Sequence, residues 1–129
     1  MKLILSWFAA LFISILALSP ALAGGVTPVG KWQVATGEAR YVVTSCGKGG
    51  TLCAKLVWLS PDARTDENLA LLNTYVVTGA QPSGANIWSG SVVMNGKDYA
   101  GTMTLVSGNL MRLKGCSGIL CQTYEFTRI

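Results

Sequence analysis

The sequence predicts an all-β fold, a small eight-stranded up-and-down antiparallel β-barrel with one short helix or loop at residues 60–73. From residue 30 onward, short runs rich in Val, Thr, Tyr, Trp and Ile alternate with Gly, Asn, Asp and Ser, a pattern typical of strands joined by tight turns. An open sheet would leave unpaired N–H and C=O groups on two edge strands, and closure into a barrel removes both edges. We therefore expect the first and last strands to meet.

The first residues have the features of a secretory signal peptide. One positive charge is followed by an apolar run that ends at Leu18 and by small residues up to Ala23. The run is shorter than the ~20 residues of a membrane-spanning helix, and Gly24 rather than Cys follows the cleavage position. We therefore predict residues 1–23 as a cleaved signal peptide and residues 24–129 as a single periplasmic or secreted domain, neither a lipoprotein nor stably inserted in a membrane.

The predicted strands are separated by residues that favour tight turns. Thr36-Gly37 and Asn95-Gly96 are examples, because Gly and Asn tolerate positive φ. The strands are predicted over residues 30–36, 39–46, 52–59, 74–79, 86–94, 98–106, 109–115 and 121–128.

Residues 60–73 depart from the strand pattern. Pro61 is suited to the first turn of a helix, and Asp66 and Glu67 indicate a second start. We expect a short helix or an ordered loop here. A loop of this length is either a binding lid or a plain connector.

The four cysteines predict two disulfides, because an even number of cysteines in an exported chain usually pairs. Zinc is the alternative, but the intervals of six and four residues do not match zinc-ligand spacing, and the chain has no histidine. The four are Cys46, Cys53, Cys116 and Cys121.

The composition argues against several classes of function. Without histidine there is no Ser-His-Asp or Cys-His arrangement, and the acidic residues are scattered. The formal charge of +4 is spread along the chain without a basic run, so nucleic acid is not an expected partner. We expect no enzyme, no metal and no cofactor.

Several segments resemble known families. Gly30-x-Trp32 together with the final Thr127-Arg128 resembles the lipocalin signature, in which a Trp of the first strand packs under the barrel beside an Arg of the last. In order along nearly all of the predicted mature chain, the sequence also resembles the secreted bacterial family called domain of unknown function 2147, which is regarded as lipocalin-like and has no established activity. The segments that carry this resemblance are Gly30-x-Trp32, Tyr41-Val42-Val43, Cys46-Gly47, the run from Leu52 to Leu59, Asp66-x-Asn68, Gly96-Lys97-x-Tyr99, Leu113-x-Gly115-Cys116 and Thr127-Arg128.

Such a barrel makes definite predictions about contacts. Because its strands alternate in direction, Trp32 and Arg128 should meet at one closed end in a cation–π contact worth about 0.5 to 2 kcal/mol. The hairpin tip 46–53 should lie at that end and the tip 116–121 at the other, too far apart for a disulfide between tips. The predicted disulfides therefore join each tip to itself, Cys46 to Cys53 and Cys116 to Cys121.

The candidate ligand-binding residues are large side chains predicted to face the lumen. An eight-stranded barrel is either filled by its side chains or holds one small ligand, and this composition suits a small apolar or amphipathic molecule. The mouth would lie beside residues 36–38, 60–73, 95–97 and 116–121. The residues are Tyr41, Trp58, Trp88, Met103, Met111 and Tyr124.

Two functions follow from this fold. The first is an exported lipocalin-like protein whose partner is a small hydrophobic ligand in the lumen. The alternative is a protein-interaction module of the cell envelope, with a solid barrel and no ligand.

Overall fold

Eight antiparallel strands close into a barrel in sequence order, and β1 pairs with β8. A computed structural model of the chain describes residues 26–94 and 96–129, and the predicted signal peptide, residues 1–23, lies outside them. The predicted fold class is therefore confirmed. The strands are β1 (Gly30–Val34), β2 (Ala39–Ser45), β3 (Leu52–Leu59), β4 (Tyr75–Gly84), β5 (Ile87–Met94), β6 (Lys97–Ser107), β7 (Leu110–Ser117) and β8 (Leu120–Arg128).

Strand β4 is five residues longer at its C-terminal end than the sequence predicts, because the prediction ended it at Gly79 and β4 ends at Gly84. Gly79 has φ 62° and lies where the register with β5 shifts by one residue, so it forms a bulge rather than an end. Beyond Ala80, β4 has no pairs with β3 and pairs with β5 alone. Pro82 is tolerated there because proline suits a strand segment with one free side.

The segment between β3 and β4 forms a 3-10 turn over Pro61–Ala63 and a helix α1 over Asp66–Leu71. Both predicted starts are confirmed. The Thr65 hydroxyl accepts from the backbone N–H of Asn68 at 3.2 Å, and the Asn68 side chain donates to the Ala63 carbonyl at 2.8 Å, which joins the helix to the turn. Within the described residues, no helix has the length and apolar character needed to cross a membrane.

Strand β3 contains a bulge that reverses which of its residues face inward. Tyr41 lies opposite Leu56, but the preceding residue Arg40 lies opposite Trp58, so Val57 is an extra residue in β3. Residues before the bulge follow the predicted alternation, and residues after it follow the opposite one. Leu59 is therefore buried, and Trp58 lies on the outer face.

Glycines on β6 and β7 make room for core side chains from β5. Gly101 and Gly115 are buried and lie opposite each other. A Cβ at Gly101 would overlap Val92, and one at Gly115 would overlap the Met94 side chain. These positions let Val92 and Met94 pack close to the barrel wall, so they influence how much of the lumen stays empty.

The closed end of the barrel is built on Trp32, which is fully buried. Its indole N–H donates to the Pro28 carbonyl at 2.8 Å, and the guanidinium carbon of Arg128 lies 4.3 Å from the ring centroid. Gly30 passes so near that an added Cβ would lie 2.6 Å from Nη1 of Arg128. The predicted contact between Trp32 and Arg128 is confirmed.

Arg128 also fastens the segment before β1. Its Nε donates to the Gly108 carbonyl at 2.7 Å and its Nη1 to the Val29 carbonyl at 2.9 Å, while Nη2 donates to the Thr27 carbonyl. One side chain thus joins the start of β1, the end of β8 and the β6–β7 turn.

Both predicted disulfides are present. Cys46 pairs with Cys53 across the β2–β3 tip, and Cys116 pairs with Cys121 across the β7–β8 tip. The up-and-down topology places the first at the closed end and the second at the opposite end. Each bridge therefore fastens one hairpin tip.

Candidate ligand-binding cavity

The barrel encloses a cavity of about 260 Å³. This volume is close to the lower end of the range for small-molecule sites, roughly 300 to 1,000 Å³. Trp32 forms its floor, and its walls are mostly apolar. All eight strands contribute wall residues, among them Val34, Leu56, Val77, Val92, Met103 and Phe126.

Four of the six predicted ligand-binding residues line this cavity. They come from β2 and from the neighbouring strands β6, β7 and β8. The ring of Tyr41 meets Phe126 edge to face with centroids 5.5 Å apart, an arrangement that aromatic pairs favour. The four are Tyr41, Met103, Met111 and Tyr124.

Trp58 does not line the cavity, so its predicted lumen orientation is wrong. The extra residue Val57 turns Trp58 to the outer face of β3. There the Arg40 guanidinium lies 4.2 Å from the centroid of the Trp58 ring, and Arg40 also donates to the Gln33 side chain at 2.9 Å. Strand alternation alone contains no signal for this bulge.

Trp88 also lies away from the cavity. Trp88 lies opposite Met103 of β6, so its side chain is on the same inward face of the sheet as this cavity residue, as predicted. However, Trp88 lies toward the closed end, where its indole N–H donates to the Gly50 carbonyl at 3.2 Å. Trp88 therefore helps to fasten the β2–β3 tip.

Polar residues that were not among the predicted ligand-binding residues line the mouth. Thr36 and Glu38 come from the β1–β2 turn, and Asn68 comes from α1. These segments were predicted to border the mouth, and the cavity reaches both. The β7–β8 tip, also predicted there, contributes no lining residue among those described, and its Ile119 is almost fully exposed.

Burial raises the pKa of the Tyr41 phenol, and the neighbouring Tyr124 and Glu38 raise it further. Tyr124 donates its own hydroxyl to the Gln122 side chain at 2.7 Å. Tyr41 therefore stays a neutral phenol that can donate or accept a hydrogen bond at the cavity wall.

The lining is mostly apolar, and its polar groups lie at the mouth. Across residues 26–94 and 96–129, no group of three or more His, Cys, Asp or Glu side chains is placed to hold a metal ion. A mostly apolar chamber with a few polar groups at one end orients a small molecule by its polar end.

Comparison with known proteins gives a family match and a structural match. The family described as "Uncharacterized protein conserved in bacteria (DUF2147)" matches residues 30–128. The solved structure of protein HP1028 from Helicobacter pylori, described as belonging to the lipocalin family, is similar with a TM-score of 0.59 and 14% sequence identity over 81% of this chain and 84% of that chain. No curated protein sequence matches. The structural likeness concerns the fold.

Proposed function

Because this chain belongs to the DUF2147 family of uncharacterized bacterial proteins, we propose that it is an exported lipocalin-like protein that binds a small apolar or amphipathic ligand in its barrel. The observation that carries this proposal is the cavity of about 260 Å³ between the Trp32 floor and the polar mouth. An eight-stranded barrel filled by its own side chains would have no such space.

The two disulfides support an oxidising compartment. Such bonds are rare in reducing cytosol and common in periplasmic and secreted proteins. The signal-peptide features of residues 1–23 point to the same compartment. We therefore propose that the protein acts in the periplasm or outside the cell. We also propose that it is a binding protein rather than an enzyme.

Binding of 1-octanol, a neutral amphipathic probe, tests the proposal. Trp32 lines the cavity, whereas Trp58 and Trp88 do not. The mature protein, residues 24–129, lacks Trp7, so with Trp58→Phe and Trp88→Phe its fluorescence reports on the cavity through Trp32. We expect saturable quenching of Trp32 fluorescence by 8-bromo-1-octanol, and saturable binding of 1-octanol by calorimetry.

A pair of matched substitutions separates cavity binding from adsorption to the surface. Ala39 is buried and lines the cavity, whereas Ala100 is exposed on β6. Ala39→Phe should abolish the quenching because the ring occupies the cavity, and Ala100→Phe should leave it unchanged. Equal quenching in the two variants would instead favour a protein-interaction module. The absence of quenching in the protein that carries neither substitution would favour it as well.

A further inference from the structure

We propose that the cavity selects an amphipathic amine, an alkyl chain with its positively charged ammonium at the mouth beside Glu38. This inference rests on the proposed function and names the chemical class of the ligand. Three observations carry it: the charge of the lining, the hydrogen-bond acceptors at the mouth, and the distribution of acidic residues over the molecule.

The lining contains one charged side chain among its described residues, and that side chain is Glu38. It contains no lysine or arginine that could receive a carboxylate. The Arg128 guanidinium lies against the Trp32 ring that forms the floor. It donates hydrogen bonds to three backbone carbonyls at the closed end. A fatty acid entering the cavity would therefore meet a like charge at the mouth and no counter-charge along the wall.

The polar groups at the mouth are suited to an ammonium. One N–H of the Asn68 amide donates to the Ala63 carbonyl, and this bond leaves the amide oxygen available as an acceptor. Glu38 contributes a carboxylate, whose charge is one of the causes that raise the pKa of the Tyr41 phenol. Acceptor oxygens form hydrogen bonds with an ammonium, and neighbouring aromatic rings form cation–π contacts with it.

Acidic residues are concentrated at the mouth end, although the chain as a whole has a formal charge of +4. Five of the six acidic residues belong to elements at that end, and the sixth, Glu125, pairs with Arg112 on the outer wall. Three cations, Arg40, Arg64 and Lys97, lie at the same end, so the acidic residues outnumber them there. The five are Glu38, Asp62, Asp66, Glu67 and Asp98.

This distribution gives the entrance a negative potential. The Glu67 side chain lies beside the β5–β6 turn, where its Oε1 would be 3.2 Å from a Cβ added to Gly96. Clefts lined by one sign of charge concentrate ligands of the opposite sign. An amine is therefore attracted before it enters and is held by Glu38 once its chain is buried.

Three probes with the same eight-carbon tail test the inference by calorimetry at neutral pH and moderate ionic strength: octylamine, 1-octanol and octanoate. We expect octylamine to bind about fivefold tighter than 1-octanol, the gain of one partly exposed ion pair, and octanoate to bind more weakly than either. Glu38→Gln should reduce octylamine binding to the level of 1-octanol, so that the preference for the amine over the alcohol is lost.

Glu125→Gln is the matched control, because it removes an acid from the outer face of β8, where Glu125 pairs with Arg112 and does not line the cavity. It should not change the order of the three probes. If 1-octanol binds but octanoate binds as tightly as octylamine, or Glu38→Gln keeps the amine preference, this inference is wrong and the proposed function stands. If none of the three probes binds, both fall.

Discussion

Tyr41 is the residue in which the chemistry of the cavity can be measured most directly. It lies on β2 opposite Trp32 and Leu56, and its ring packs edge to face against Phe126. Burial is the largest cause of its raised pKa, with smaller contributions from Tyr124 and Glu38. The phenol is therefore more easily ionised in the unfolded chain than in the folded protein.

The raised pKa of Tyr41 predicts an alkaline loss of stability. Its contribution is fully present below the unfolded pKa of about 10 and is lost as the pH rises through the higher folded pKa. Tyr41→Phe should therefore make the free energy of unfolding less dependent on pH between about 9 and 11. Urea denaturation across this range measures the effect.

Tyr75→Phe is the control for this measurement, since Tyr75 is 50% exposed. It should reproduce the alkaline slope of the unsubstituted protein. Identical slopes for all three proteins would show that Tyr41 does not cause the loss.

At the scale of single elements, β3 explains where the sequence was informative and where it was not. Residues 54 and 56 face inward as alternation predicts, and both are buried. Trp58 faces outward instead, because the extra residue Val57 shifts the alternation by one position. Contacts with neighbouring strands stabilise this bulge. Those contacts, such as Arg40 over Trp58, come from tertiary structure that a single run of residues does not contain.

The two hairpin tips give a prediction at the same scale. Each disulfide closes a loop of six to eight residues, for which the loss of chain entropy in the unfolded state gives about 2 to 2.5 kcal/mol. Replacing either pair by alanine should lower the free energy of unfolding by about that amount, and replacing both by about the sum. Urea denaturation of the two double variants and of the quadruple variant measures these losses.

The ligand-binding properties should separate from stability in those variants. Neither bridge contributes a described lining residue to the cavity, so 1-octanol affinity should be unchanged well below the melting temperature. An unchanged melting temperature in reductant would contradict the stabilising role of the disulfides.

At the scale of the whole molecule, the closure of the barrel was predictable and the volume of its lumen was not. Closure follows from eight alternating runs joined by short turns, and it brought Trp32 and Arg128 together as expected. The volume depends on whether Val92 and Met94 pack against Gly101 and Gly115. That packing involves three strands at once, and local sequence pattern does not determine it.

Arg128 provides a test of this closure. Arg128→Ala removes three hydrogen bonds to backbone carbonyls and the contact with Trp32, so the free energy of unfolding should fall by about 3 kcal/mol. Arg112→Ala is the control, because its ion pair with Glu125 is about half exposed and such pairs contribute roughly 0.2 to 1 kcal/mol. Equal losses for the two variants would contradict a closing role for Arg128.

The pairing of the first strand with the last also constrains when the protein can become functional. The Arg128 side chain bonds to the Val29 carbonyl across 99 positions of sequence, and β1 lacks its second neighbour until β8 has formed. During synthesis, which proceeds from the N-terminus, the growing chain can assemble hairpins but not the enclosed chamber. If the protein binds a ligand as proposed, capture must therefore wait until β8 has been synthesised and has paired with β1.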